Sequence, residues 1–136
     1  PFYAALTYDG RIEAHPPHPL DARVTELVNL HQTGDKGFGP ALGPDAHDHA
    51  VARLAAEGFA VVTGRSDWVL GDDAAALQAA FVRGHAEAVA ETGGLSEEDR
   101  AAWLAFRLDA IERGESRIMV GHGDLYAVPD GAQERA

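Results

Sequence analysis

The sequence predicts an α/β domain whose helices pack on a small mixed sheet of three strands and a short hairpin arm. Two observations predict this class. Apolar runs of strand length alternate with segments whose apolar residues recur every three or four positions, and Gly, Pro or Asp stands at nearly every change between them. The 136 residues suffice for one hydrophobic core, and no repeat or linker divides them. We therefore expect a single domain over residues 1–129 and a flexible tail over residues 130–136.

A strand, a hairpin arm and a helix are predicted at the start of the chain. The apolar run at residues 2–8 predicts a buried strand, and the Asp-Gly pair at residues 9–10 indicates a tight turn. Residues 11–13 would then pair back on the strand as the short arm. After a proline-rich stretch that excludes regular structure, a helix begins near Asp21, and its apolar positions recur at helical spacing over residues 24–31.

A glycine-rich loop and a second helix follow. The loop covers residues 33–43 and contains a Gly-x-Gly-x-x-x-Gly pattern. A dinucleotide-binding fingerprint has a different spacing and follows a strand, whereas this pattern follows a helix. We therefore expect the loop to be a lid over a site or a plain connector. Asp45 stands at the N-cap position of the second helix, and Gly58 ends that helix.

Two strands and two helices are predicted in the second half of the chain. Residues 59–70 have the composition of a strand, with a bulge or turn at Gly64. Helical spacing predicts a third helix over residues 72–91 and a fourth over residues 96–113. Residues 117–128 predict the last strand, so the elements alternate as they do in α/β proteins.

Composition excludes several classes of site and partner. The chain has no cysteine, which excludes a disulfide scaffold, a Cys-zinc site and a thiol nucleophile. This usage is typical of a reducing compartment, and we expect a cytoplasmic protein. With 22 acidic and 11 basic residues, the net charge of −11 repels phosphate backbones and anionic lipids. We therefore expect no nucleic-acid partner. Since no apolar run is long enough to span a membrane either, we also expect no membrane partner.

The histidines are the candidate metal ligands. His47 and His49 lie two positions apart, so their side chains diverge around a helix and we expect no metal site from this pair. His122 stands between two glycines in the last predicted strand, where glycine permits a close backbone approach or a bulge. Asp124, two residues further on, could orient its ring. A small metal-using enzyme built on His47, His49 and His122 is one hypothesis for the function.

Several segments resemble the C-terminal part of bacterial class I S-adenosylmethionine-dependent methyltransferases. They are YAALTYDGRI (residues 3–12), LHQ (30–32), DKGFGPALGP (35–44), RSDWVLG (65–71) and VGHGDLYAVP (120–129), and together they span nearly the whole chain. The resemblance implies that residues 2–8, 59–70 and 117–128 are the fifth, sixth and seventh strands of a Rossmann-like sheet. It also implies that the last strand is antiparallel and lies between the other two.

The resemblance further implies that this chain holds the acceptor side of the enzyme. The glycine-rich turn and the acidic residue that bind the methyl donor in this family are absent from the sequence. We therefore expect S-adenosylmethionine to bind the full-length protein, and this chain alone to bind no cofactor or metal and to be inactive. The expected substrate-binding residues are His31, Lys36, Phe38 and Trp68, with Lys36 holding an anionic group and the aromatic rings packing on the substrate. The resemblance carries over no catalytic residue.

A fifth strand without its usual neighbour would present an open apolar edge. We therefore expect residues 2–8 to pair with a missing N-terminal half or with a second copy in a homodimer. An alternative from a different class is a self-contained α/β binding or oligomerisation module without catalysis.

Overall fold

Strands and helices follow one another along the chain largely as predicted. The structure is a computed structural model that describes residues 1–131, so the predicted tail lies outside the described residues from residue 132 onward. The elements are β1 (Phe2–His15), α1 (Asp21–Gln32), α2 (Ala46–Ala56), β2 (Phe59–Arg65), β3 (Trp68–Leu70), α3 (Ala75–Thr92), α4 (Glu97–Glu112) and β4 (Arg117–Pro129). Short 3₁₀ turns at Gly43–Asp45 and Asp72–Ala74 lead into α2 and α3. In this part of the chain, no helix has the length and apolarity to cross a membrane.

β4 is the central strand of a four-stranded sheet in which every neighbouring pair is antiparallel. β1 pairs with one edge of β4, while β2 and β3 pair in succession with the other edge. β1 and β2 are therefore parallel to each other, with β4 reversed between them. This is the strand order that the resemblance implies. The prediction of a mixed three-stranded sheet with a hairpin arm is wrong in its strand count and in its pairing.

The residues Phe2–His15 form one long strand, not a strand, a turn and an arm. Pairing with β4 continues along this whole length, and two irregularities in register absorb the extra residues of β1. The second irregularity lies between Tyr8 and Ile12 and contains Gly10, which has a φ of 90°. The predicted hairpin does not form because β4 offers backbone partners to both halves of β1.

The prediction that residues 2–8 are buried is wrong, because β1 is an edge strand. No strand in the described part of the chain pairs with its outer edge. Phe2, Tyr3 and Leu6 are 48%, 65% and 50% exposed. The strand predicted over residues 59–70 also differs, since it is divided into β2 and β3 and the break follows Arg65 instead of falling at Gly64.

The hydrophobic core lies between one face of the sheet and helices α1, α3 and α4, while α2 packs on the opposite face. α1 buries Val24, Leu27 and Val28, as its apolar spacing predicts. The side chains that α3 and α4 bury are Gln78, Val82, Ala86, Val89, Trp103, Arg107, Ala110 and Ile111. Leu77, an apolar residue of α3, is left 44% exposed because the packing of the helices selects a different face of α3.

A buried ion pair joins the start of α1 to α4. Arg107 is fully buried, and its Nη2 atom donates to the two oxygens of the Asp21 carboxylate at 2.8 and 2.7 Å. Trp103 Nε1 and the His18 backbone N–H donate to the same carboxylate at 2.9 and 2.7 Å. The adjoining cavity of about 20 Å³ has room for no more than a water molecule. The pair therefore anchors α1 to α4, while Nε and Nη1 of Arg107 are buried with no hydrogen-bond partner among the described residues.

Candidate functional site

An aromatic cleft of about 180 Å³ opens between the sheet and helices α1 and α3. The residues that line it are Tyr8, Gln32, Trp68, Phe81, His85, Val120 and His122. The strand register brings its sheet residues together, because Tyr8 lies opposite His122 and Trp68 lies opposite Val120. Trp68 follows shortly after the carboxyl end of β2.

His122 lies at the centre of the aromatic side chains in this cleft. Its ring centroid is 5.1 Å from that of Trp68 and 6.4 Å from that of Tyr8, with the Tyr8 ring in an edge-on arrangement. His122 is only 6% exposed, and its Nδ1 atom is buried with no hydrogen-bond partner among the described residues. Buried polar atoms in proteins almost always have a partner. The surrounding protein therefore does not replace the hydrogen bond to water that Nδ1 loses when the imidazole is buried.

Two titratable side chains of the cleft are held in their uncharged forms. The Tyr8 hydroxyl donates to Asn29 Oδ1 at 2.7 Å, and burial, together with the charge of Asp9, raises the pKa of Tyr8 to about 12. The His85 Nδ1–H donates to the Phe81 carbonyl at 2.9 Å, while burial lowers the pKa of His85. At neutral pH Tyr8 therefore presents a phenol to the cleft, and His85 presents a neutral imidazole.

A network of charged side chains holds the connection between β2 and β3, next to Trp68. The Asp67 carboxylate accepts the His122 backbone N–H at 3.0 Å and an Arg65 N–H at 2.8 Å. Arg65 and then the His122 N–H lower the pKa of Asp67. Arg11 and Arg65 each contact both Asp9 and Asp67, so two positive charges balance two negative charges. The network therefore positions the cleft without adding net charge beside it.

Asp124 links β1 and the connection between β2 and β3 to β4 rather than orienting His122. Its carboxylate accepts the Leu6 backbone N–H at 2.8 Å and the Ser66 hydroxyl at 2.6 Å. These hydrogen bonds, the one from Ser66 first, lower the pKa of Asp124. The carboxylate thus joins β1 and the segment between β2 and β3 to β4. The expectation that it orients the His122 ring finds no corresponding hydrogen bond within residues 1–131.

The glycines on either side of His122 allow close approach on the opposite face of the sheet, as the sequence predicts. A Cβ atom at Gly123 would lie 2.6 Å from the His47 ring, and a Cβ atom at Gly121 would overlap the Asp9 carboxylate. His47 Nε2 lies 3.2 Å from the Asp124 carbonyl, and its Nδ1 lies 3.1 Å from Asp48. The contact with Asp48, followed by that with Asp124, raises the pKa of His47.

The geometry does not bring the three candidate metal-binding histidines together. His47 packs against Gly123 on the α2 side of the sheet, His122 faces the cleft on the other side, and His49 is exposed. Within the described part of the chain, no group of three or more His, Cys, Asp or Glu side chains could hold a metal ion. The hypothesis of a metal centre built on these three histidines is therefore not supported by their positions.

Of the four residues expected to bind substrate, Trp68 lines the cleft. His31 lies outside it and pairs with Glu91 of α3, and Lys36 Nζ lies 3.5 Å from His31 Nδ1. Phe38 is fully exposed in the glycine-rich loop. The structure thus brings His31 and Lys36 together but separates them from Trp68. The role of all four residues in substrate binding stays a prediction.

The loop at residues 33–43 begins at the rim of the cleft, because Gln32 both ends α1 and lines the cleft. The Asp35 carboxylate accepts the backbone N–H groups of Gly37 and Gly39 at 2.7 and 2.9 Å. Those bonds lower the pKa of Asp35 and hold the loop in a turn that projects Phe38 into solvent. The position of the loop agrees with either of its predicted roles, a lid or a connector.

Sequence reasoning did not single out Tyr8, Gln32 and Phe81 as site residues. One signal was present, because the resemblance implies that the first strand lies beside the last and that β1 supplies a neighbour for His122. The particular neighbour could not be read from the sequence, since the irregularities in β1 change the register twice. Phe81 reaches the cleft only through the packing of α3 on the sheet.

Comparison with protein-family models, with curated proteins and with solved structures finds no match for this chain. The class that the structure defines is therefore an α/β protein with an antiparallel four-stranded sheet and an aromatic cleft on the face that α1, α3 and α4 cover. A fold class by itself assigns no activity, so the function has to be argued from the cleft and the strand order.

Proposed function

We propose that this chain is the acceptor-side part of a bacterial class I S-adenosylmethionine-dependent methyltransferase and that it is inactive by itself. The observation that carries the proposal is the strand order, in which β4 is reversed between two parallel strands, β1 and β2. The resemblance in sequence implies this same order for the last three strands of the family. The methyl donor would be bound by a preceding part of the same protein, which supplies the glycine-rich turn.

The cleft supports an acceptor-binding role. Methyl transfer by in-line attack depends chiefly on holding the acceptor in the correct position, and rigid aromatic walls are suited to that task. Trp68 belongs both to the segment that carries the resemblance and to the lining of the cleft. The charged network around Asp67 and the strand links made by Asp124 hold this wall in place.

The exposed side chains of the sheet support a partner for this chain. Tyr3 and Val62 both lie opposite Tyr126, so the three side chains form a row across one face of the sheet. They are 65%, 68% and 45% exposed, and the adjoining outer edge of β1 pairs with no described strand. Open edges and exposed apolar rows are sites of association. We propose that the preceding half of the protein covers them, and that a second copy does so when that half is absent.

The proposal is tested by calorimetric titration of S-adenosylmethionine into two proteins, the 136-residue chain and the same chain extended upstream. We expect saturable binding to the extended protein and none to the 136 residues. Binding to the 136 residues themselves would show that the donor site lies within this chain. Binding to neither protein would reject the methyltransferase and favour the self-contained binding module.

The alternative, an α/β binding or oligomerisation module without catalysis, is favoured by the same exposed row and open edge. The two readings differ in what the upstream sequence does. In the module, an upstream extension leaves self-association of the chain unchanged, whereas in the methyltransferase the extension covers the row and abolishes it. Light scattering of both proteins at the same concentration separates the two outcomes.

A further inference from the structure

We propose that the aromatic cleft binds a small, uncharged, planar molecule, about one six-membered ring with a hydroxyl or amino substituent that hydrogen-bonds to the imidazole of His122. That this molecule is the methyl acceptor rests on the proposed function. The binding itself does not, since it follows from the size, the walls and the charge of the cleft.

The volume of the cleft limits the size of the ligand. The cleft measures about 180 Å³. A dry protein cavity of about 150 Å³ accommodates a benzene molecule. One six-membered ring with one or two small substituents therefore fits within the cleft.

The walls of the cleft favour a flat ligand. Tyr8 and Trp68 approach from the sheet, and Phe81 approaches from α3. Aromatic rings pair in edge-on or offset arrangements at centroid separations of about 4.5–7 Å, which a planar ring can satisfy on several sides at once. A puckered aliphatic ring of the same volume would forgo part of these contacts.

The charge of the cleft excludes an ion. In the described part of the chain, no Asp, Glu, Lys or Arg side chain lines the cleft. The Asp67 carboxylate, next to Trp68 in the sequence, already accepts from Arg65 and from the His122 backbone. A charged ligand would lose its hydration here without gaining a counter-ion, and such burial is strongly unfavourable.

His122 supplies the polar contact. Its imidazole is nine-tenths buried among aromatic rings, and Nδ1 has no hydrogen-bond partner within residues 1–131. Nδ1 is inaccessible to solvent, so a ligand in the cleft would meet the imidazole at the edge that lines the cleft. A hydroxyl or amino group on the bound ring would form a hydrogen bond with Nε2 at that edge.

The inference differs from the expectation that Lys36 holds an anionic group of the substrate. Lys36 lies beside His31 and Glu91, outside the cleft lining. An anionic ring would therefore be drawn toward Lys36, whereas an uncharged ring would enter the cleft. Phenol and benzoate, which are similar in size and differ in charge, separate the two.

The experiment is a titration of the 136-residue protein with phenol, toluene and benzoate, followed by the NMR signals of the two tryptophan indole N–H groups and of the backbone amides. We expect phenol to shift the Trp68 and His122 signals saturably and to leave the buried Trp103 signal in place. Toluene should bind about two- to tenfold more weakly than phenol, because it lacks one net hydrogen bond. Benzoate should leave the cleft signals unshifted.

Two variants and a matched control locate the site. Trp68→Ala should weaken phenol binding about tenfold or more, because it removes a wall of the cleft. His122→Phe keeps a planar ring but no hydrogen bond, so phenol should lose its advantage over toluene. Val69→Ala, at an exposed neighbour of Trp68, should bind phenol like the unmodified protein. If His122→Phe fails to fold, the three-probe comparison on the unmodified protein still decides.

Non-saturable phenol shifts, equal shifts by benzoate at the cleft, or unchanged phenol binding in Trp68→Ala would each overturn the inference. Failure of the proposed function is a separate outcome, since these titrations contain no methyl donor. Phenol binding in the cleft together with no S-adenosylmethionine binding by the extended protein would retain the cleft and reject the methyltransferase.

Discussion

Two halves of one face of the sheet differ in what covers them. Along the first half of β4, Ile118, Val120 and His122 lie under α1, α3 and α4 and are nearly inaccessible. Along the second half, Tyr126 and its neighbour Val62 are 45% and 68% exposed. Both halves carry apolar side chains on the same face, because the register of β4 is continuous.

The difference shows that the described helices cover only part of the sheet. β1 and β4 are 14 and 13 residues long, and the three helices of this face pack near one end of them. α2 covers the corresponding part of the opposite face, where Leu125 and Ala127 are buried. The covered half thus contains the hydrophobic core and the cleft, and the open half has the composition of an interface. Substitutions in the two halves should therefore change different properties.

The largest expected effect is in the covered half. Asp21→Ala should lower the free energy of unfolding by about 3–5 kcal/mol, because it leaves the buried guanidinium of Arg107 without its counter-ion. Urea unfolding measures the loss. Asp109→Ala, which breaks an exposed pair with Arg113, should cost no more than about 1 kcal/mol. Equal losses in both variants would show that the buried pair does not anchor α1.

A smaller effect is expected beneath α2. Gly123→Ala should cost about 1–3 kcal/mol of unfolding free energy, because the new methyl group would lie 2.6 Å from the His47 ring. Gly64→Ala, where no atom lies within 4 Å of the added Cβ, is the control and should be nearly neutral. Combining Gly123→Ala with His47→Ala should recover part of the loss. No recovery would mean that the strain is in the backbone.

In the open half, association should change while stability does not. Val62→Asp should alter the unfolding free energy by about 0.5 kcal/mol or less, because the side chain is 68% exposed. It should abolish the self-association that we expect of the isolated chain, as measured by light scattering. Val69→Asp, at a valine with 66% exposure on the opposite face, is the matched control and should associate normally. A monomeric unmodified chain would contradict the expectation.

The smallest expected effects are two pH dependences of opposite sign. The pKa of His85 is lowered, so its contribution to stability is present above about pH 6.5 and is lost as the pH falls. In acid, the free energy of unfolding of the unmodified protein should therefore fall more than that of His85→Gln. The raised pKa of His47 means the reverse: its contribution is present at low pH and is lost as the pH rises through that pKa. Urea midpoints of the unmodified protein and each variant across pH 5–8 measure both. Parallel pH profiles for a variant and the unmodified protein would contradict the corresponding prediction.

The predictions from sequence were most accurate where the information is local. The apolar spacing of α1 indicated the buried residues Val24, Leu27 and Val28, although it also included His31, which pairs with Glu91 and is not buried. The glycines around His122 indicated a close approach on that strand. Ser96 was expected to begin the fourth helix, and its side chain does accept the Asp99 backbone N–H. Each of these features depends on residues within a few positions of one another.

The predictions failed where distant strands compete for the same backbone groups. Asp9-Gly10 is a favourable hairpin sequence, yet β4 pairs with the residues on both sides of it, and the turn is replaced by an irregular strand. The site was predicted only in part, because its remaining residues also depend on contacts between distant segments. Trp68 was expected from the resemblance, but its neighbours Tyr8 and Phe81 depend on the register of β1 and on the packing of α3.

By itself the sequence determined the succession of strands and helices, the absence of cysteine chemistry and the acidic charge that disfavours nucleic acid. These properties follow from composition and from periodicities of two and about 3.6 residues, which need no tertiary contact. Only the tertiary structure decided that Tyr8 faces His122, that His47 lies on the other side of the sheet, and that half of one face is open. The reason is physical: register and burial arise from contacts between residues far apart in the chain, and a shift of one position would exchange the faces of a strand.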